Sequence, residues 1–389
     1  MTHPAPAPFT FNTTASIVFE PGAAARLGDK AARRLGLQIL FVTDPGLRAI
    51  GLCDPAIASL EAAGCEVIVF GEVEADPSRA TLMKAVEAGR GASGVVGFGG
   101  GSSLDVAKLA ALLLGSGEDL DEAWGVAQAK GPRLPLVLVP TTAGTGSEVT
   151  PVSIITVGEE EKRGVSSPVI LPDIAILDAE LTFGLPPAIT AATGIDAMVH
   201  AIEAYASKSA NNNPLSKMLA REALRLLSSN IEKVIADGRD ADARGAMLLG
   251  SMLAGQAFAN SPVAAVHALA YPIGGTFHIP HGLSNALVLP HVLRFNAPDA
   301  AHLYAEIAAD CFPGLSGEEG VQGRCAAFIE ELAALSKRVG LPARLRDVGI
   351  GEDALPKMAA NAMKQQRLLV NNPRAVSEAD ALAIYRAAW

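Results

Sequence analysis

Through its first half the chain alternates short runs of β-branched and aliphatic residues with longer Ala-rich stretches whose apolar positions recur at helical spacing. Strands are predicted at 37–43, 66–70, 94–97 and 136–139, and helices at 55–63, 78–89 and 103–114. Strands joined by helical crossovers build a mainly parallel sheet, and ligands of such sheets sit at the carboxyl ends of the strands. After Leu185-Pro186-Pro187 strand-like runs become rare and Ala/Leu-rich helical segments dominate, at 189–207, 214–237, 241–259, 297–309, 321–339 and 378–388. The expected organisation is an α/β domain over 1–185 and an all-α domain over 186–389. No linker separates them, so they are expected to pack together with a cleft between; no fixed-period repeat is present.

Composition narrows the classes. The chain has 389 residues, half of them hydrophobic, and a net charge of -10, with no Lys/Arg run of the kind that displaces counterions from phosphates. Nucleic acid is therefore not an expected partner. No uninterrupted apolar stretch is long enough for a bilayer, and the Ala/Pro-rich start has no basic residue clearly charged before Arg26. A soluble, cytoplasmic protein is expected. Cys53, Cys65, Cys311 and Cys325 are scattered without a Cys-x-x-Cys pair and read as reduced, structural thiols.

Candidate chemistry begins at the segment 95–108, where a strand runs through Gly99-Gly100-Gly101-Ser102-Ser103 into a helix. Such a loop lets backbone N–H groups and a helix N-terminus approach a diphosphate. A tight turn without any ligand also needs glycine, and the motif alone does not decide between the two. A second loop, Pro140-Thr141-Thr142-Ala143-Gly144-Thr145-Gly146-Ser147-Glu148, follows another apolar strand, and two such loops at different strand ends are hard to explain as turns. Asp44, after the first βα strand, suits a ribose diol and would repel a 2′-phosphate, although an Asp there is more often a helix N-cap.

The second half holds a different set. Asp196 and His200 stand four apart, one turn along one helix face, and His267, His278 and His281 follow in Ala/Leu-rich sequence. Each histidine alone is more often a core residue satisfied by backbone. Asp196 with three histidines is different, because an N₃O set suits Fe, Zn or Ni better than Ca or Mg, and without thiolates it is not a cysteine-type structural zinc site.

With these motifs the chain resembles the iron-dependent (group III) alcohol dehydrogenase family, of dehydroquinate-synthase-like fold. The resemblance runs from Phe19-Glu20-Pro21-Gly22 through both loops to Asn372-Pro373-Arg374, with Gly194-Ile195-Asp196-Ala197, His200, His267 and Pro280-His281-Gly282 as the metal motif. It implies a Rossmann-like N-terminal dinucleotide domain, a helical C-terminal domain, a metal between them and NAD(P)-linked interconversion of an alcohol with an aldehyde or ketone. Carried over position by position, it implies Asp196, His200, His267 and His281 as ligands of Fe(II), or of Zn(II) or another divalent metal. It implies Gly100, Gly101, Ser102, Thr141, Thr142 and Thr145 as nucleotide contacts, with Asp105, Lys162 and Leu181 around the same cofactor. Asp44 matches the acidic position that favours NAD over NADP, and Val152 and Phe258 fall where the family lines its substrate pocket. Homodimers or larger homo-oligomers are the implied assemblies.

Two positions depart from the family. Tyr271 stands where many members carry a second histidine, one turn after the third ligand, that relays the alcohol proton. Tyr271 either relays through its hydroxyl or packs against the site, with His278 as the substitute relay. Ala264 replaces a common glycine. Three rival readings stand beside an alcohol dehydrogenase or carbonyl reductase: an oxo-acid reductase of the maleylacetate reductase kind, a dehydroquinate-synthase-like lyase, and a non-enzymatic nucleotide-binding protein. The first two need cations near the substrate, and no Arg or Lys adjoins the metal motifs in the sequence.

Overall fold

Strict alternation inside the strands decides how the first unit is layered. In the computed structural model, which describes residues 7–158, 161–317 and 320–389, nine strands are seen. They are β1 (Ser16–Phe19), β2 (Gln38–Val42), β3 (Glu66–Phe70), β4 (Gly94–Gly99), β5 (Gly125–Val126), β6 (Leu136–Pro140), β7 (Val152–Val157), β8 (Glu161–Ser166) and β9 (Ile174–Leu177). Six form a wholly parallel sheet in the order β1-β9-β6-β4-β2-β3. Both faces are covered. Ile39, Phe41, Val96, Phe98, Val137 and Val139 pack on α1 (Leu27–Leu35) and the helix Asp54–Ala62, while Leu40, Val42, Val95, Leu136 and Leu138 pack on the helices Arg79–Ala88 and Gly101–Ser116. Two buried faces explain why these strands are continuous apolar runs.

In chain order those helices are α1, α3 (Asp54–Ala62), α4 (Arg79–Ala88) and α5 (Gly101–Ser116), with α2 (Pro45–Ala49) and α6 (Leu120–Ala123) as short turns between. After β2 the chain steps outward to β3 and returns to the other side of β2 as β4. The carboxyl ends of β2 and β4 therefore form a topological switch point, the place where such sheets bind ligands. The four strands expected from sequence all belong to this sheet. The edge strand β1 and its neighbour β9 have only four residues each, too few for a period-2 signal, and the second sheet (β5-β8-β7) includes the polar strand Glu161–Ser166, which is recruited by antiparallel backbone pairing with β7.

The unit just described comprises Asn12–Gly184; Leu185–Trp389 form a second, joined by the described residues up to Phe11. Thr10 explains that grouping, since its N–H donates to Asn211 Oδ1 and its carbonyl accepts from Asn211 Nδ2, both at 2.9 Å. The second unit is helical among its described residues: α7 (Pro187–Ala206), α8 (Pro214–Ala236), α9 (Ala241–Asn260), α10 (Ala265–Phe277), α11 (His281–Cys311), α12 (Gly320–Arg338), α13 (Leu355–Ala362), α14 (Gln366–Leu369) and α15 (Glu378–Ala388). The predicted helix 297–309 is the end of the much longer α11, which runs through Pro290 and Pro298. Prolines suggested breaks to a local reading, but packing against α7, α8 and α12 carries the helix past them.

α7 is buried on nearly every side, against α8, α9 and α11. Where α11 starts beside it, a Cβ on Gly282 would stand 2.4 Å from the Ala192 carbonyl oxygen and 3.2 Å from Asp196 Cβ. Only glycine lets the two backbones approach so closely, which is the physical content of Pro280-His281-Gly282. All four cysteines are buried and free, and no helix among the described residues is long and apolar enough to cross a membrane. Gly282→Ala is expected to cost about 1–3 kcal/mol by overpacking, read as a lower midpoint in urea unfolding.

Candidate metal and cofactor sites

Asp196, His200 and Glu203 recur along α7 at spacings of four and three, forming one stripe on a helix that is otherwise apolar. A buried carboxylate needs partners, and neighbouring helices provide them. Glu203 Oε1 accepts from the Val266 N–H at 2.7 Å, capping the first turn of α10, where a negative charge also suits the helix dipole. Its Oε2 lies 2.6 Å from His267 Nδ1. A carboxylate only accepts, so Nδ1 carries the proton and His267 presents Nε2, with its lone pair, to the cluster.

There the side chains of Asp196, His200, His267 and His281 converge, with one ligand atom from each lying within 4.8 Å of the others. His267 Nε2 and His281 Nε2 stand 4.0 and 3.8 Å from Asp196 Oδ1. Bonds of about 2.0–2.2 Å to one central ion would place its ligand atoms roughly 3–4 Å apart, so the donor set fits a first-row divalent cation. A second observation agrees. Asn285, one turn after His281, points its amide nitrogen at the same focus, 2.6 Å from Asp196 Oδ1 and 3.3 Å from both Nε2 atoms, while its Oδ1 is buried without a hydrogen-bond partner. The focus attracts positive character. Burial pushes the Asp196 carboxyl up, but His200, His281, His267 and Asn285 outweigh it and hold the group below its ordinary value.

The surroundings of the cluster are aromatic. Phe258 stacks on His200 with centroids 4.4 Å apart, and His200 stacks on His267 at 4.7 Å. The His281 side chain is 39% exposed, whereas Asp196 and His267 are almost fully buried, so solvent reaches the cluster at His281. Tyr271 leans there, its ring 6.1 Å from that of His281, and its hydroxyl accepts from Arg367. α10 is helical through Tyr271, as its spacing from His267 requires. His278 is the left-handed C-cap of α10 (φ 55°) and exposed, outside the group of four.

In the α/β unit the two glycine loops meet at the switch point. α5 starts at Gly101 with extended Gly100 as N-cap and no side-chain cap, so its first turn is open to an anion. A Cβ on Gly101 would stand 2.8 Å from Thr145 Cγ2, and one on Gly100 3.7 Å from Thr142 Cγ2. Ser102 follows on the same turn, and Thr141 closes β6 with its N–H donating to the Gly99 carbonyl. Asp44 caps α2 by accepting from the Leu47 N–H at 2.9 Å, and its other oxygen lies 3.4 Å from where a Gly99 Cβ would be. It is thus both an N-cap and a carboxylate facing the glycine loop.

Other expected residues are differently employed. Both Asp105 oxygens are taken internally, by the Ser147 hydroxyl at 2.7 Å and the Ile154 N–H at 2.8 Å. Lys162, on β8, pairs with Asp76 at 2.6 Å and donates to Thr156 Oγ1; Leu181 packs against the sheet core, and Val152 opens β7. Sequence reasoning passed over Lys108, which is fully buried and spends its three protons on Ser147 Oγ, Thr150 Oγ1 and the Val152 carbonyl. Burial lowers its pKa to about 8, against the pull of Asp105 and Glu148, so it remains a cation at neutral pH. Burial likewise raises the neighbouring Glu148 to about 7. Lys108 ties the start of α5 to the second loop. Glu203, three residues past His200, and Asn285, four past His281, were also passed over, although both continue the helical spacing of the ligands.

A family profile described as iron-containing alcohol dehydrogenase matches residues 14–179, and one described as the Fe-containing alcohol dehydrogenase family, C-terminal, matches residues 190–389. The chain belongs to the iron-containing alcohol dehydrogenase family. It is 42% identical to the long-chain-alcohol dehydrogenase 1 of Geobacillus thermodenitrificans (strain NG80-2), over 97% of each chain. It is 37% identical to the sulfoacetaldehyde reductase of Bilophila wadsworthia (strain 3_1_6), over 97% of this chain and 98% of that one. A solved structure of 1,3-propanediol oxidoreductase superposes with a TM-score of 0.94 at 36% identity, covering 98% of this chain and 100% of the other. Membership accounts for the placing of the Asp/His group on α7, α10 and α11.

Glu203→Gln keeps the side-chain shape and removes the charge that orients His267. Metal affinity, measured by competition with a chromogenic chelator, is expected to fall about tenfold to a hundredfold while the melting temperature changes little.

Proposed function

We propose that this family member is an NAD-dependent alcohol dehydrogenase or carbonyl reductase that uses Fe(II), or another divalent metal such as Zn(II), held by Asp196, His200, His267 and His281. The observation that carries the reading is the convergence of these four side chains within 4.8 Å, with Glu203 fixing the tautomer of His267. The relatives named as alcohol dehydrogenases and aldehyde reductases support the reaction class. When bound, the metal supplies Lewis acidity at the substrate oxygen and the nicotinamide carries the hydride.

The protein's own residues have distinct parts. Asp196 brings a negative charge that offsets the cation, and Phe258 shields the His200 side of the cluster from water and, with Val152, is assigned to the substrate pocket. Gly100, Gly101, Ser102, Thr141, Thr142 and Thr145 are assigned to the cofactor phosphates and ribose, and Asp44 to the ribose diol, which gives NAD precedence over NADP. Asp105 and Lys162 act on the cofactor through the loops they hold, and Leu181 through its packing. Tyr271 is assigned to proton exchange at the substrate oxygen, from the exposed edge of His281; His278, at the end of α10, is its alternate. A homodimer or larger homo-oligomer and a cytoplasmic location complete the proposal, the latter supported by four free thiols.

His200→Ala is expected to leave the circular dichroism spectrum intact while bound metal becomes substoichiometric and turnover falls at least about a hundredfold. Full turnover with one metal per chain would refute the ligand assignment. Asp44→Gly is expected to raise the ratio of kcat/KM for NADPH to that for NADH about tenfold, since it removes repulsion of the 2′-phosphate. An unchanged ratio would remove Asp44 from the ribose site.

A further inference from the structure

The sequence shows no cation beside the metal motifs, but folding brings one there. Arg367 lies 86 residues after His281 in the chain, yet its guanidinium donates to the Tyr271 hydroxyl at 3.3 Å and stands 5.9 Å from the ring centroid. Tyr271 in turn leans on His281, the ligand through which solvent reaches the cluster. Arg367 is exposed, and no carboxylate among the described residues pairs with it. Exposed Arg294, Arg338 and Arg344 are each paired with an acid, whereas Arg239, Arg346 and Arg386, like Arg367, show no ion pair among the described residues but do not adjoin the cluster of four side chains.

Its position is built rather than incidental. α14 packs against α10, and Leu368 and Leu369, which follow Arg367, are buried. The buried Asn371 amide donates both to the Arg367 carbonyl and to the Val263 carbonyl just before α10, each at 3.1 Å. The backbone of Arg367 is thereby tied to the helix that carries His267 and Tyr271. A guanidinium has five donors in a planar fork, and only one of them is directed at Tyr271. The remaining edge suits a carboxylate bidentately.

We propose that Arg367 is a specificity-determining residue that receives the carboxylate of an aldehyde substrate, so that the preferred substrates are short ω-oxo acids. This rests on the reductase reading given above. Arg367 stands 5.9 Å beyond the Tyr271 ring centre and His281 6.1 Å before it, so guanidinium and His281 are at most about 12 Å apart. A four- or five-carbon oxo acid spans roughly 6–7 Å between its terminal oxygens, and the contacts of about 2 and about 3 Å at its two ends extend that to roughly 11–12 Å. The chemistry is ordinary for the class: hydride passes from NADH to the aldehyde carbon, the C=O π bond opens, a proton goes to the oxygen, and the carboxylate is unchanged. A neutral aldehyde would leave the arginine facing water and gain nothing from it.

The test uses the metal-loaded full-length enzyme with 4-oxobutanoate and 5-oxopentanoate, each against its methyl ester, which keeps the length and removes the charge. The wild type is expected to favour acid over ester by about tenfold or more in kcat/KM. Arg367→Gln should lower kcat/KM for the acids about tenfold to a hundredfold more than for the esters, mostly through KM; Arg367→Lys should recover part of that difference. Saturation-transfer NMR of butanoate should give a signal with wild type that Arg367→Gln loses, whether or not metal is loaded. If wild type and Arg367→Gln share one acid-to-ester ratio, or butanoate contacts both or neither, the inference is overturned while the reductase reading stands. If the wild type reduces neither acids nor esters, the reductase reading fails and takes the inference with it.

Discussion

A helix buried on nearly every side cannot carry two carboxylates unless each finds polar partners, and α7 carries Asp196 and Glu203. Leaving either unpaired would cost several kcal/mol, a large part of the net stability of a domain. The architecture of the helical unit follows from meeting that demand. Glu203 is answered by the first turn of α10 and by His267, and Asp196 Oδ1 by the Asn285 amide. These contacts tie α10 and α11 to α7, so the four side chains that could hold a metal are brought together by the fold itself. The same polar groups that are a liability to folding thus become a preorganised site, a common trade at functional centres.

Rigidity in the α/β unit has a parallel origin. Lys108 is buried completely, and its ammonium is tolerable only because three acceptors and two nearby carboxylates surround it. That network joins the helix after β4 to the loop after β6. Two glycine-rich loops, each mobile by composition, are therefore fixed relative to one another, with Gly101 pressed against Thr145. A buried ion network contributes little net stability, but it specifies one arrangement and penalises others. Switch points are where such sheets bind ligands, and there one fixed arrangement of the two loops favours preorganised donors.

Charge at the mouth of the metal cluster shows how far local sequence and local environment can diverge. Arg367 sits in a short helix near the end of the chain, in a stretch with no motif, and is brought to Tyr271 by buried Leu368, Leu369 and Asn371. The only neighbours that make it consequential are ones contributed by other helices.

What the sequence determined by itself is what short-range physics governs. Strands β2, β3, β4 and β6 were legible because burial on both faces leaves no alternative to apolar runs, and α8, α9 and α12 because helical periodicity survives over many turns. The four candidate ligands were legible because Asp196 and His200 share one helix face and histidines are costly in apolar sequence. Tertiary structure alone decided the rest. The four-residue strands β1 and β9 and the polar strand β8 are stabilised by backbone pairing, which leaves no mark on side-chain pattern. α11 continues past two prolines because neighbouring helices compensate for the lost hydrogen bonds. Asp105, expected around the cofactor from the resemblance, has both its oxygens taken by the Ser147 hydroxyl and the Ile154 N–H, a pairing across more than forty residues. Glu203, Asn285, Lys108 and Arg367 each meet at least one decisive partner that lies tens of residues away in the chain. Sequence names the residue types that chemistry requires; which of them meet is settled by where buried charge can find its partners.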